Sequence, residues 1–197
     1  MEIFKILFTP TAITFIGALI AATGVFWSAL EDSKIKLELQ EKTEKIAELN
    51  QEITKTVIGG DSYAYIQPFI DTKNNKITLN LNTEGGYPMY DLKINITDKN
   101  QVRTLSDAAA KNGKEWTRYD YDKNVIQVNI GNIAPGQIVP NLYIVDLGGG
   151  GVKTLDYTIR ISARNGNFFQ PLKINITDKG LDVDSKVHKG EQILKEL

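Results

Sequence analysis

An uncharged run at the N-terminus constrains this chain more than any other feature. From Ile6 to Leu30 there are 25 consecutive residues without a formal charge, and about 20 helical residues are enough to span a bilayer core. Phe26 and Trp27 stand where an interfacial aromatic belt is expected. Residues 1–30 are therefore predicted to be a transmembrane anchor, which contacts the lipid bilayer through residues 6–30.

A cleaved signal peptide is the competing interpretation of the same run. Signal peptidase sites carry small residues at minus three and minus one, whereas the alanine-ended candidates here place Leu19, Ile20 or Trp27 at minus three. An uncleaved, single-pass anchor is therefore favoured. One lysine precedes the run and four follow it by residue 45, a bias that indicates a cytoplasmic C-terminus.

The next segment, residues 31–58, has the composition of a helical stalk. It contains no Gly or Pro and is dominated by good helix formers. Apolar residues at heptad spacing from Leu39 to Ile53 form a coiled-coil seam, which is interrupted by Lys42. The seam predicts either a self-associating stalk or a helix that is a solvated spacer or packs on its own domain. Gly59-Gly60 is expected to end the helix.

After the two glycines the hydrophobic period changes from helical to alternating, for example at Ile77, Leu79 and Leu81. Turn signals separate seven to nine such segments. No long helix is expected among them, and the pattern predicts a mainly β, antiparallel β-sandwich over residues 61–180. A C-terminal strand and a short helix are predicted over residues 181–197.

Two segments of the β region are alike. TLNLNTEGGYPMYDLKINITDK (Thr78–Lys99) aligns without gaps to TIRISARNGNFFQPLKINITDK (Thr158–Lys179), and ten of 22 positions are identical. Both copies have the pattern strand, glycine turn, strand, so they are expected to occupy equivalent places in the sandwich. The alternative is convergence on good strand composition.

Several short motifs together resemble known proteins. VNIGNIAPGQ (Val128–Gln137) is similar to a strand, Pro-Gly turn, strand passage of bacterial immunoglobulin-like and fibronectin-like adhesion modules. The chain also resembles an uncharacterised family of bacterial membrane-anchored proteins in four stretches: GGDSYAY, PMYDLKINI, VNIGNIAPG and SARNG. The resemblance covers the β domain and implies an immunoglobulin-like sandwich. By analogy it favours an extracytoplasmic β domain, against the lysine count.

The chain has few of the residue types that act as catalytic nucleophiles, bases or metal ligands. It has no cysteine and one histidine, His188, which we interpret as a solvent-exposed bystander in a polar segment. The pairs Asp120 with Asp122 and Asp182 with Asp184 lack the spacing of a known calcium loop. The run GGGG lacks the Lys and Ser or Thr of a phosphate loop. No enzymatic activity, cofactor or metal is therefore predicted.

The sum of these features favours an interaction protein. From Asp61 to the C-terminus there are 17 basic and 16 acidic residues without a run of one sign, so no nucleic-acid partner is expected. We expect a membrane-anchored, non-enzymatic binding module on a helical stalk, with a protein partner or self-association through the stalk. The alternative is a structural or assembly subunit of a membrane protein complex that associates through its transmembrane helix.

The repeated turns are where a binding surface is expected, since loops on a rigid sandwich carry function. Exposed aromatic rings supply contact area at low entropic cost. The possible partner-binding residues are Tyr87, Tyr90, Phe168 and Phe169. The alternative is that these rings close the ends of the core, because aromatic side chains mostly bury.

Overall fold

The computed structural model describes residues 9–148, 154–177 and 180–197. Its first element is one uninterrupted helix, α1 (Pro10–Ile58), so the predicted anchor and stalk are continuous in secondary structure. A window of 18 residues has a mean hydropathy of 1.9, and the helix is long and apolar enough to cross a membrane. The start of the predicted span and most of the GGGG run lie outside the described residues.

The helix α1 ends at the glycine pair, as predicted. The Gly59 N–H donates to the Lys55 carbonyl at 2.9 Å, and Gly59 has a φ of 95°. This is a backbone conformation that glycine adopts without steric cost. The chain divides into two compact units, Met1–Glu52 and Ile53–Leu197, and all of the strands described below belong to the second.

The second unit is mainly β, as predicted. The strands are β1 (Tyr63–Asp71), β2 (Lys76–Glu84), β3 (Met89–Asp98), β4 (Val125–Ile133), β5 (Ile138–Asp146), β6 (Thr154–Ala163), β7 (Gly166–Thr177), β8 (Gly180–Lys189) and β9 (Gln192–Glu196). They form two antiparallel sheets, one with the order β1-β2-β5 and one with the order β4-β3-β6-β7-β8-β9. One hydrophobic core takes side chains from both sheets, as expected for two packed layers.

The six-stranded sheet buries one face, because side chains alternate along each strand. In β6 the buried residues are Leu155, Tyr157, Ile159 and Ile161. They belong to the same core as Ile66 of the three-stranded sheet. We call the opposite side of the six-stranded sheet the outer face.

Two helices lie between β3 and β4, which corrects the prediction that no long helix interrupts the strands. They are α2 (Lys99–Lys111) and α3 (Arg118–Lys123). Asp98 caps α2 by accepting from two backbone N–H groups at 2.9 and 3.0 Å. A capping box of Thr117 and Asp120 begins α3. Neither helix has a buried residue, so neither contributes to the hydrophobic core.

The C-terminal segment is a hairpin of β8 and β9, which corrects the prediction of a strand and a short helix over residues 181–197. Lys189 pairs with Gln192 across the turn, and Gly190 between them has a φ of 60°. Positive φ at a tight turn favours glycine and suits a hairpin. Both strands extend the six-stranded sheet.

The two similar segments do not occupy equivalent places, contrary to the expectation. In the first, β2 and β3 lie in different sheets, whereas in the second β6 and β7 are paired neighbours. The shared LKINIT stretch forms β3 in one copy and β7 in the other, and these strands flank β6 on its two sides. The last two residues of the second copy lie outside the described residues.

Candidate binding groove

Two adjacent phenylalanines that were candidates for partner binding lie on opposite faces of β7. Phe168 is 3% exposed and belongs to the core, whereas Phe169 is 42% exposed on the outer face. The alternation of side chains along a strand separates them. Phe168 is therefore not displayed to a partner. Its ring closes the core, which is the alternative stated in the sequence analysis.

Tyr87 and Tyr90 are half-buried and engaged close to their own turns. The Tyr87 ring lies against Gly60, where an added Cβ would overlap the ring. The guanidinium of Arg164 lies 5.0 Å from the centre of the Tyr90 ring and pairs with Asp91 at 2.9 Å. Both tyrosines thus pack in part against the chain itself, and their role as partner-binding residues stays a prediction.

Phe169 belongs to a row of side chains that crosses the outer face from one sheet edge to the other. The strand register places one residue of each strand in the row, so that neighbours are directly opposed. From β4 to β9 these residues are Gln127, Asn95, Arg160, Phe169, His188 and Ile193. The rings of Phe169 and His188 have centroids 6.3 Å apart. His188 is half-buried in this row, which corrects its interpretation as a solvent-exposed bystander.

A groove of about 570 Å³ lies over the centre of the row. We call it the outer groove. Its outward-facing lining side chains are Asn95, Arg160, Ser162, Asn167, Phe169 and His188, and Ile161, Phe168 and Gly190 also contribute to its wall. Its volume falls within the range of small-molecule sites, roughly 300–1,000 Å³. These side chains offer an aromatic ring, a guanidinium, an imidazole and several amide or hydroxyl groups to a ligand.

A second depression of about 320 Å³ adjoins the outer groove, with which it shares Asn95. Lys93, Gln127 and Asn129 contribute the other polar side chains that line it. Lys93 forms no ion pair within the part of the chain that the structure describes. The polar surface around Asn95 therefore continues from β6 across β3 to β4.

Several acidic and basic groups on the outer face pair with one another. Further along the strands, Lys99 pairs with Asp156 at 3.0 Å and Lys186 with Glu196 at 2.9 Å. Arg160 has no ion-pair partner among the described residues. The described residues that line the outer groove include no carboxylate, so among them the positive charge of Arg160 is not compensated.

No protein-family model, curated protein or solved structure matches this chain. The resemblance to bacterial membrane-anchored proteins therefore stays a prediction. What the outer groove can bind is therefore inferred from its own side chains and from the strand register that brings them together.

A different polar cluster joins Glu84 of β2, Lys195 of β9 and two tyrosines of β1. Lys195 and Tyr63 donate to the Glu84 carboxylate, and the Tyr65 hydroxyl donates to it at 3.2 Å. The hydrogen bond from Lys195 holds the pKa of Glu84 below its usual value. Burial, with the hydrogen bond to Glu84, raises the pKa of Tyr63 to about 12. Lys195, Tyr63 and Tyr65 all donate hydrogen bonds to Glu84, so the cluster links β9 to the three-stranded sheet.

The aspartates considered as calcium ligands have local roles. Asp120 caps α3, and hydrogen bonds from the N-cap threonine lower its pKa. Asp122 lies 3.7 Å from Arg118, and Asp182 accepts from Asn175 at 3.1 Å. Among the residues that the structure describes, no group of three or more His, Asp and Glu side chains is placed to hold a metal ion.

Arg160 and Asn95 are groove residues that the sequence analysis missed. Both are polar residues between buried apolar ones, Arg160 between Ile159 and Ile161, so the signal for an outward position was present. The missing information was the register between distant strands, which alternation alone does not specify.

Proposed function

We propose that this chain is a single-pass membrane-anchored, non-enzymatic binding module and that the outer groove is its ligand site. The row across the outer face is the observation that carries the proposal. It places an exposed aromatic ring, a guanidinium without an ion-pair partner among the described residues, and several amides side by side. Side chains on paired strands are held more firmly than side chains on loops, which favours a preorganised site.

The properties of α1 support the membrane part of the proposal. It is apolar over a full span length, and none of its residues is buried, so it differs from a core helix. A signal sequence has similar length and composition. Intact mass measured on membrane-extracted protein separates the two: an anchor retains residues 1–30 and resists an alkaline wash. Loss of those residues, or release by the wash, contradicts the anchor.

The strand order supports an immunoglobulin-like assignment for the first seven strands. With β1-β2-β5 taken as A-B-E and β4-β3-β6-β7 as C′-C-F-G, the order corresponds to that class of sandwich. Strands β8 and β9 then extend the second sheet. By analogy with this class we place the β domain on the extracytoplasmic side. Protease added to intact spheroplasts should therefore digest it, and full protection contradicts this placement.

The C-terminal half of α1 supports weak self-association. The apolar seam residues are 50–64% exposed: Ile35, Leu39, Ile46, Leu49 and Ile53. A seam of about three heptads that contains Lys42 is marginal alone, but a shared membrane raises its effective concentration. Sedimentation in detergent should show mostly monomer, and Lys42→Leu should increase the dimer fraction. An unchanged distribution contradicts a role for the seam as an interface.

Site-specific photocrosslinking in membranes tests the proposed function against the assembly-subunit alternative. A benzophenone amino acid at Phe169 should give specific adducts, while the same probe at the exposed Tyr119 of α3 serves as the matched control. A third probe at Ala21 reports contacts of the transmembrane helix. Adducts from position 21 alone favour an assembly subunit, and equal labelling from positions 169 and 119 contradicts a specific site in the outer groove.

A further inference from the structure

We infer that the outer groove binds acidic saccharides through their carboxylate-bearing rings, an inference that rests on the binding function proposed above. The first ground is charge. Arg160 is exposed, has no ion-pair partner among the described residues, and stands between Asn95 and Phe169 in the row. A guanidinium binds a carboxylate with two parallel hydrogen bonds. Within the part of the chain that the structure describes, no residue lining the groove carries a carboxylate that would repel such a ligand.

The second ground is the ring of Phe169. It is 42% exposed and lies between Arg160 and His188 across the strands. An aromatic ring on a polar surface offers an apolar face of fixed orientation. The C–H face of a pyranose is a flat apolar partner for such a ring. A ligand carboxylate on the same pyranose then reaches toward Arg160, its immediate neighbour.

The third ground is the unused hydrogen-bonding capacity of the lining. Among the described residues, the side chains of Asn95, Ser162 and Asn167 form no hydrogen bond with the protein, although all three line the groove. Amides and hydroxyls both donate and accept, which suits the hydroxyl groups of a sugar. An extended peptide instead pairs with a free strand edge, whereas the outer groove lies on the face of paired strands.

The adjoining depression indicates a ligand of more than one ring. It shares Asn95 with the outer groove and adds Lys93, a second cation without an ion-pair partner among the described residues. Lys93 lies opposite Asn129 of β4 and Ser162 of β6, in the row next to that of Arg160. Each of the two rows therefore combines a cation with amide or hydroxyl groups, which suits a chain of acidic sugar units. The ligand class is therefore an oligosaccharide that contains uronate residues.

Saturation-transfer NMR on the full chain in a sugar-free detergent tests this inference. The probes are trigalacturonate, its trimethyl ester and a glutamate tripeptide. Trigalacturonate should receive saturation. Its binding should weaken by about tenfold or more when the ligand is the trimethyl ester, which has no charged carboxylate, and when Arg160→Gln removes the guanidinium that binds the carboxylate. Arg103→Gln, an exposed arginine on α2, is the matched control and should bind as the parent chain does. Phe169→Ala should also weaken binding, while Tyr119→Ala should not.

Equal binding of the ester and the acid overturns the charge argument, and equal effects of Arg160→Gln and Arg103→Gln overturn the site. Binding of the glutamate peptide but not of the saccharide overturns the ligand class, while the proposed binding function stands. If none of the three probes binds, the inference fails. The crosslinking from position 169 then decides separately whether the outer groove is a binding site.

Discussion

Phe168 and Phe169 are neighbours in β7 with the same side chain and opposite environments. Phe168 packs in the core that both sheets share, while Phe169 lies on the outer face beside Arg160 and His188. Their side chains lie on opposite faces of the strand. The inner face of the six-stranded sheet therefore stabilises the fold. The outer face is accessible to solvent, and a ligand could contact it there.

The comparison extends to the whole of β7. On the inner face Phe168, Gln170, Leu172 and Ile174 are all buried, so a change there alters packing. On the outer face the side chains of β7 are exposed or half-buried. Phe169 is the large apolar side chain that is exposed there. A large exposed apolar side chain is informative when polar and charged groups surround it.

Phe168→Ala should have the largest effect on stability. Truncation of a buried phenylalanine removes apolar contacts and leaves a cavity, which costs about 3 kcal/mol or more. Denaturant unfolding followed by circular dichroism measures the difference. A loss below about 1 kcal/mol would mean that the inner face tolerates truncation as a surface does, and the division between the faces would fail.

Gln170→Ala should have the next largest effect. The Gln170 side chain is fully buried, accepts from the Ile66 N–H at 2.7 Å and donates to the Ile66 carbonyl at 2.8 Å. Its loss leaves buried backbone groups of β1 without partners, at a cost of about 1–3 kcal/mol. Gln127→Ala, on the outer face, is the matched control and should stay within about 0.5 kcal/mol of the parent. Equal unfolding midpoints for the two variants would contradict the role of Gln170 as a link between the sheets.

Glu84→Gln should have a smaller and pH-dependent effect. The folded-state pKa of Glu84 is lowered, so its stabilisation is present above the ordinary glutamate value of 4.5 and is lost as the pH falls through the lowered folded value. The side chain is 40% exposed, so solvent screening limits the contribution to about 1 kcal/mol. Thermal melts at pH 7 and pH 3 measure it, with Glu115→Gln as the exposed control. A difference from the parent that is as large at pH 3 as at pH 7 would contradict the electrostatic origin.

The fold could be predicted where a local pattern decides the structure. The long helix follows from an uncharged run and good helix formers, its end from Gly59, and the strands from alternation at positions such as Ile77 and Leu79. The prediction of a C-terminal helix was wrong. The segment QILKEL has helical composition, but its pairing with β8 determines that it forms a strand.

The candidate site could be predicted only in part, because its residues come from separate strands. The repeated turn predicts Phe168 and Phe169 alike as contact residues, because the turn pattern does not assign alternate residues of this strand to opposite faces. Arg160 and His188 join the site through a register of strands that are distant in sequence, and register depends on tertiary pairing. The repeat was also misleading, since identical LKINIT strands are preceded by different connections.

Phe169→Ala, examined for both stability and ligand binding, tests the division between the two faces most directly. Its unfolding free energy should stay within about 0.5 kcal/mol of the parent, because the ring is exposed. In the same samples, the dissociation constant for trigalacturonate should weaken by about tenfold or more, as truncation of a central aromatic contact does. A loss of stability as large as that of Phe168→Ala, or unchanged binding in a folded protein, would contradict the assignment of the outer face to recognition.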